Sequence, residues 1–236
     1  MPPVRKKFRI YSADMVPLLV GMSFILAGEI TTILLGSNVA MVGNSIRSPW
    51  GIITSNFIFD GINNIEAYAM FLFFLWVTSV AYQSKIRKER YIASMISMFV
   101  GAFIANGIWL YTMYLGNNPE ITGGQSAVVY AFWGACFSLF VIDSVLVLVS
   151  SISNKLLHNS LRVASLASNS KIRRIVGEIS SIIFSLIILV DIYDGRVAFF
   201  SELPHFNYFI HISGFFSGFF IAAGIYSWRL YTLTRN

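Results

Sequence analysis

The sequence predicts an all-α membrane protein of six transmembrane helices. Three observations carry that prediction: 56% apolar side chains with a mean hydropathy of +0.68, only 12% charged residues, and long runs without an ionisable group. Soluble domains carry about 25% charged residues, so half that share implies a solvent that rejects charge. The run 91–115 contains no Asp, Glu, Lys, Arg or His, and ~18 or more such residues read as a membrane span. The single cysteine, Cys136, lies in an apolar run, which excludes a disulfide framework and a cysteine-based metal site.

Read in order, residues 1–14 form a basic cytoplasmic segment, 15–231 the membrane domain and 232–236 a cytoplasmic tail. The spans fall at about 15–36, 64–82, 91–116, 126–150, 175–190 and 207–230. The first is too long for a signal-peptide core and lacks an A-x-A-like cleavage site, so it is expected to remain as a helix. The fourth opens on Ser126, a residue type that caps helices. The fifth is short and carries Glu178.

Basic residues orient the chain, because cytoplasmic loops are enriched in Lys and Arg. With the N-terminus inside, the clusters in 5–9, 85–90, 155–174 and 229–235 are all cytoplasmic, leaving Arg47 and Arg196 outside. The net charge of +6 then reflects topology and anionic headgroups, with no nucleic-acid partner required. The clusters in 82–91 and 151–174 read as solvated, headgroup-facing loops. This orientation places the starts of spans two, four and six on the outer leaflet.

Within the spans the ionisable residues are Glu29, Glu66, Asp143, Glu178 and His211. Such groups are rare in hydrocarbon and usually face the bundle interior. His158 and His205 fall in loops, so His211 is the histidine on a helix. Gly214, Gly218 and Ala222 follow it at helical spacing. On span four, Ser126, Tyr130, Gly134 and Ser138 recur every fourth residue. Small residues at this interval let membrane helices approach backbone to backbone. Packing the two stripes together brings a serine hydroxyl towards an imidazole, a pairing in which the base activates a weak nucleophile. A single interhelical hydrogen bond from His211 is the plainer alternative.

These residues resemble the rhomboid intramembrane serine proteases. The family's G-x-S-G motif, with Tyr four residues after the Ser, is matched by Gly124-Gln125-Ser126-Ala127 and Tyr130. Its H-x-x-G-x-x-x-G motif is matched by His211, Gly214 and Gly218. The resemblance runs from Pro49 to the end of span six and implies a six-helix rhomboid-like bundle. It implies Ser126 as nucleophile, His211 as general base and then acid, Tyr130 as the ring that orients the imidazole, and the Ser126 N–H as an oxyanion donor. Gly123 and Gly124 would let the loop approach a substrate strand.

The chain departs from the family pattern in span two. There the family places P-W-x-x-x-T-x-x-F-x-H-x-x-x-x-H-x-x-x-N, and this chain reads PWGIITSNFIFDGINNIEAY from Pro49. Without gaps, the second His falls on Asn64 and the family Asn on Tyr68, both hydrogen-bond donors, so an oxyanion hole is expected from Asn64 and Tyr68. Ala127 replaces the glycine after the nucleophile, and the family's W-R arrangement in the first outer loop is missing.

The resemblance implies transmembrane protein substrates, cleaved in or beside a membrane helix, without cofactor or metal. The aromatic loop 191–207 and a mobile fifth span are expected to gate the site. A rhomboid-like pseudoprotease that binds transmembrane helices is the alternative, and a small-solute carrier built on Glu29, Glu66 and Asp143 is a further one. The expected location is a prokaryotic cell membrane, with an organelle membrane open.

Overall fold

The computed structural model describes residues 12–35, 45, 47–58, 62–79, 84–117, 126–152, 179, 186, 190, 193 and 208–235. Among them the helices are α1 (Ser12–Leu35), the short α2 (Gly51–Thr54) continuing into a 3₁₀ turn (Ser55–Phe57), α3 (Ile62–Ser79), α4 (Ser84–Leu115), α5 (Ser126–Ile152) and α6 (Tyr208–Arg235). An isolated bridge between Ser45 and Ser48 is the extended pairing among the described residues. The protein is an all-α integral membrane protein. Stretches of α1, α4, α5 and α6 are long and apolar enough to cross a membrane: Met15–Leu35, Ile86–Leu115, Ser126–Val145 and Phe209–Leu233. The second expected span is α3, whose apolar stretch is the shorter Ile65–Trp76. The fifth span and the loop 191–207 lie, apart from four helical residues, outside the described residues.

The core forms where α4, α5 and α6 meet. Lipid is as apolar as leucine, so helices in a bilayer associate through close packing rather than through escape from water. Glycines supply that closeness. A Cβ on Gly134 would stand 1.9 Å from the Phe215 carbonyl oxygen, and one on Gly218 would stand 2.0 Å from that of Ala131. On α4, a Cβ at Gly101 would stand 2.9 Å from the Gly218 nitrogen. Each contact is with backbone, so a side chain there must move a helix. Ala131, Ala135 and Ala222 are fully buried beside these glycines.

α1 is peripheral and packs through its first half. Tyr68 of α3 lies over Gly21, where an added Cβ would stand 2.0 Å from the ring. Phe24 packs against Phe57 and Phe99, with ring centroids 5.7 and 5.6 Å away. Further along α1, Leu26, Ile30, Ile33 and Leu34 are exposed.

The third helix starts earlier than expected. It begins at Ser84 rather than near Tyr91, so the cluster in 85–90 is a helical turn and not wholly a solvated loop. Arg87 and Arg90 are buried. The Arg90 guanidinium forms an ion pair with Asp143 of α5, and its Nε donates to Ser79 Oγ at 3.0 Å. A second guanidinium nitrogen donates to Thr78 Oγ1 at 3.1 Å. Tyr226 of α6 donates its hydroxyl to the other Asp143 oxygen at 3.1 Å, and Arg87 Nε donates to the Ser79 carbonyl at 3.3 Å. Counter-charge accounts for the difference: a carboxylate on α5 and hydroxyls on α3 and α6 make an interior site for a cation that sequence alone assigns to water. Beside it, Arg229 and Glu89 pair at 3.4 Å. The network ties α3, α4, α5 and α6 together at the end of the bundle opposite Ser126.

Removing one partner of a buried ion pair leaves an uncompensated charge and costs about 3–5 kcal/mol, whereas apolar replacement of both is often neutral. Asp143→Ala is therefore expected to lower the unfolding midpoint in detergent sharply, and Arg90→Met with Asp143→Leu to restore most of it. Gly218→Val is expected to destabilise by at least the ~1–3 kcal/mol of an overpacked contact, because the clash is with backbone. Thermal unfolding followed by circular dichroism checks both.

Candidate active site

Ser126 is the first residue of α5 and is half-buried. Its N–H is among the first four of the helix, which have no intrahelical acceptor, and the helix dipole favours negative charge there. Tyr130 follows one turn later on the same face. Across the seam, His211 sits in the first turn of α6 and is likewise half-buried. The Tyr130 and His211 rings lie face to face, with centroids 4.0 Å apart and planes 6° from parallel.

The glycines below hold this arrangement. Gly214 and Gly218 are buried one and two turns along α6 from His211, and Gly134 is one turn along α5 from Tyr130. A Cβ on Gly214 would stand 3.1 Å from the Ala127 carbonyl oxygen and 3.5 Å from Tyr130 Cβ. Ala127 itself is 1% exposed. Its methyl group is thus taken into the core while the two helices remain in close contact at its own carbonyl.

Of the two predicted oxyanion residues, Tyr68 has a described side chain. Tyr68 is buried in α3, its ring stacked on Phe132 with centroids 5.0 Å apart. Its hydroxyl donates to the Pro17 carbonyl of α1 at 3.1 Å. That bond directs the hydroxyl to α1. Asn64 stands one turn earlier on α3, with its side chain outside the described residues, as Gly124 is altogether. The site thus brings together Tyr130, His211, Gly134, Gly214 and Gly218, with Ser126 one turn from the stack.

Sequence reasoning missed two supports. Trp133 is 2% exposed and touches three aromatic rings besides its neighbours on the chain: Tyr130, Phe71 of α3 and Phe215 of α6. The i+3 step from Tyr130 and the i+4 step from His211 to Phe215 were the available signals. The other is a buried amide pair. Asn106 of α4 donates to Asn56 Oδ1 at 2.9 Å, while Asn56 Nδ2 donates to the Ile52 carbonyl at 2.9 Å. Burial of amides is stabilised only when they are hydrogen-bonded, and this pair fastens the α2 segment to α4. A pocket of about 290 Å³ beside that segment is lined by Pro49, Gly107, Leu110, Tyr111 and Tyr114, none of which belongs to the α5–α6 seam.

No group of three His, Cys, Asp or Glu positioned to hold a metal ion occurs among the described residues. The arrangement sets an imidazole against the Tyr130 ring and places Ser126 at a helix start, where backbone N–H groups lack intrahelical acceptors. No family model, curated protein or solved structure matches this chain.

Proposed function

We propose that the chain is a rhomboid-type intramembrane serine protease in which Ser126 and His211 form the catalytic dyad. The observation that carries this reading is the parallel Tyr130–His211 stack. It holds the His211 imidazole face to face with Tyr130, which follows Ser126 by one helical turn on α5. In this reading His211 takes the Ser126 hydroxyl proton as Oγ attacks a peptide carbonyl. The tetrahedral oxyanion develops near the Ser126 N–H, and such preorganised donors commonly supply the largest catalytic term. His211 then gives its proton to the leaving amine, and water hydrolyses the acyl-enzyme by the same exchange. Substrates are transmembrane proteins, presented as an extended strand because helical peptide bonds are shielded by their own hydrogen bonds. The expected fifth span and loop 191–207, which lie almost wholly outside the described residues, would supply the remaining helix of this reading. The basic-residue pattern supports cytoplasmic termini and a prokaryotic cell membrane.

Two observations favour a second reading, a weakly active or inactive rhomboid-like protein that binds transmembrane helices. They are the engagement of the Tyr68 hydroxyl with Pro17 and the alanine at position 127. A carrier draws less support. Asp143 is committed to Arg90, and the spanning stretches of α1, α4, α5 and α6 are continuous helices, unlike the broken helices of many ion-coupled transporters.

A fluorophosphonate probe applied to the purified protein separates the readings. Labelling of the wild type, abolished in Ser126→Ala and in His211→Ala, is the expected result; a folded wild type that stays unlabelled removes the protease reading and leaves the helix-binding one. Loss of one oxyanion donor costs about 10²–10³ in rate, so Asn64→Ala is expected to lower kcat on a membrane-embedded substrate by that factor. Unchanged turnover takes Asn64 out of the oxyanion hole.

A further inference from the structure

The aromatic contacts around the stack form a chain that reaches a third helix. His211 lies on Tyr130 at 4.0 Å. Tyr130 meets Trp133 at 5.5 Å and 44°. Trp133 stacks on Phe71 of α3 at 5.3 Å and 17°, and it meets Phe215 of α6 edge-on at 5.6 Å and 79°. Phe71 and Phe215 are nearly as deeply buried as Trp133, at 3% and 4% exposure. The indole therefore touches all three helices at one level, below the imidazole.

A tyrosine ring can orient an imidazole only if it is itself held. On α5 the Tyr130 side chain retains rotation about χ1 and χ2 unless a neighbour closes those wells. Trp133, one turn on, is that neighbour, and its own plane is set by the Phe71 face and the Phe215 edge. Aromatic pairs at these separations and tilts are attractive beyond their buried area, so the rings constrain direction as well as volume. Phe215 is four residues beyond His211 and so shares its face of α6.

We infer that Trp133 is a positioning residue: it clamps the Tyr130 ring and thereby couples the placement of α3 to the plane of the His211 imidazole. The inference rests on the Ser126/His211 reading for what the imidazole does, but not for where it lies. Displacing α3 at Phe71 loosens Trp133, then Tyr130, then the imidazole. A ring tilted off its stack presents its nitrogen to the wrong point, and small misplacements of a reacting group are costly in rate. Through Phe71 the position of α3 is thus relayed to the site by packing, separately from any group that the start of α3 contributes.

Histidine-labelled full-length protein in detergent micelles tests this by NMR. The chain has three histidines, and comparison with His211→Ala assigns the signal. In the wild type the His211 ring protons should be shifted upfield by the Tyr130 face. Trp133→Leu and Phe71→Leu should each lose most of that shift, and Trp133→Phe should keep it. On a membrane-embedded substrate, Trp133→Leu should lower kcat about tenfold with KM within about twofold, and Trp133→Phe should rescue it. Thermal unfolding identifies variants that remain folded, and Phe71→Leu carries the test if Trp133→Leu does not fold. Unmoved His211 signals in the folded leucine variants overturn the inference, as does an equal movement in Trp133→Phe and Trp133→Leu. A wild type with the upfield signature but no fluorophosphonate labelling loses the protease reading and keeps the clamp. A labelled wild type with unmoved signals does the reverse.

Discussion

The bundle depends on a seam where three helices touch through backbone. At Gly134 and Gly218 the space that a Cβ would fill is occupied by a carbonyl of the facing helix, and Gly101 brings α4 to the same point. Ser126 is eight residues above Gly134 on α5, and His211 is seven above Gly218 on α6. Each is therefore about two turns from the closest approach. The lateral distance between the two chemical groups is set by how near the backbones come below them. In a bilayer this distance has no hydrophobic force behind it, so it rests on dispersion between well-fitted surfaces.

The opposite end is held by different physics. There Arg90, Asp143, Tyr226, Ser79 and Thr78 form a directional network around a buried guanidinium. Arginine suits this place because its planar fork reaches three acceptors at once without losing its charge. Dry glycine packing fixes separation, whereas a hydrogen-bonded ion pair fixes register along and around the helix axes. α3, with little backbone contact to the seam, is joined to it twice, by Ser79 and Thr78 at one level and by Phe71 and Tyr68 at another.

Much of this was legible in the sequence, and the exceptions share a cause. The glycine stripes are readable because period four on a helix is a statement about a single face, and Gly134, Gly214 and Gly218 all lie at the seam. The all-α membrane class follows from composition together with the long runs free of ionisable groups. Arg87 and Arg90 were unreadable because a basic cluster beside a span is usually solvated; only the distant Asp143 and the hydroxyls of α3 and α6 make an interior for them. Tyr68 shows the same limit. Its identity as a hydrogen-bond donor is in the sequence, but the direction of the hydroxyl is set by α1, fifty-one residues away along the chain. Trp133 was hidden by abundance, since with 21 Phe, 11 Tyr and 5 Trp any turn of helix offers an aromatic neighbour.

Ala127 takes its meaning from the shape of the seam. The clearance for an added Cβ is 1.9 Å at Gly134 and 2.0 Å at Gly218, but 3.1 Å at Gly214 against the Ala127 carbonyl. The backbones come closest at Gly134 and Gly218, and the approach at Gly214 is tight but less extreme. At the first two a methyl group meets backbone and must displace a helix. At residue 127 the methyl is already taken into the core at 1% exposure. An alanine after the serine is thus accommodated beside the close approach at Gly214, while on α3 the Tyr68 hydroxyl is engaged by the Pro17 carbonyl of α1.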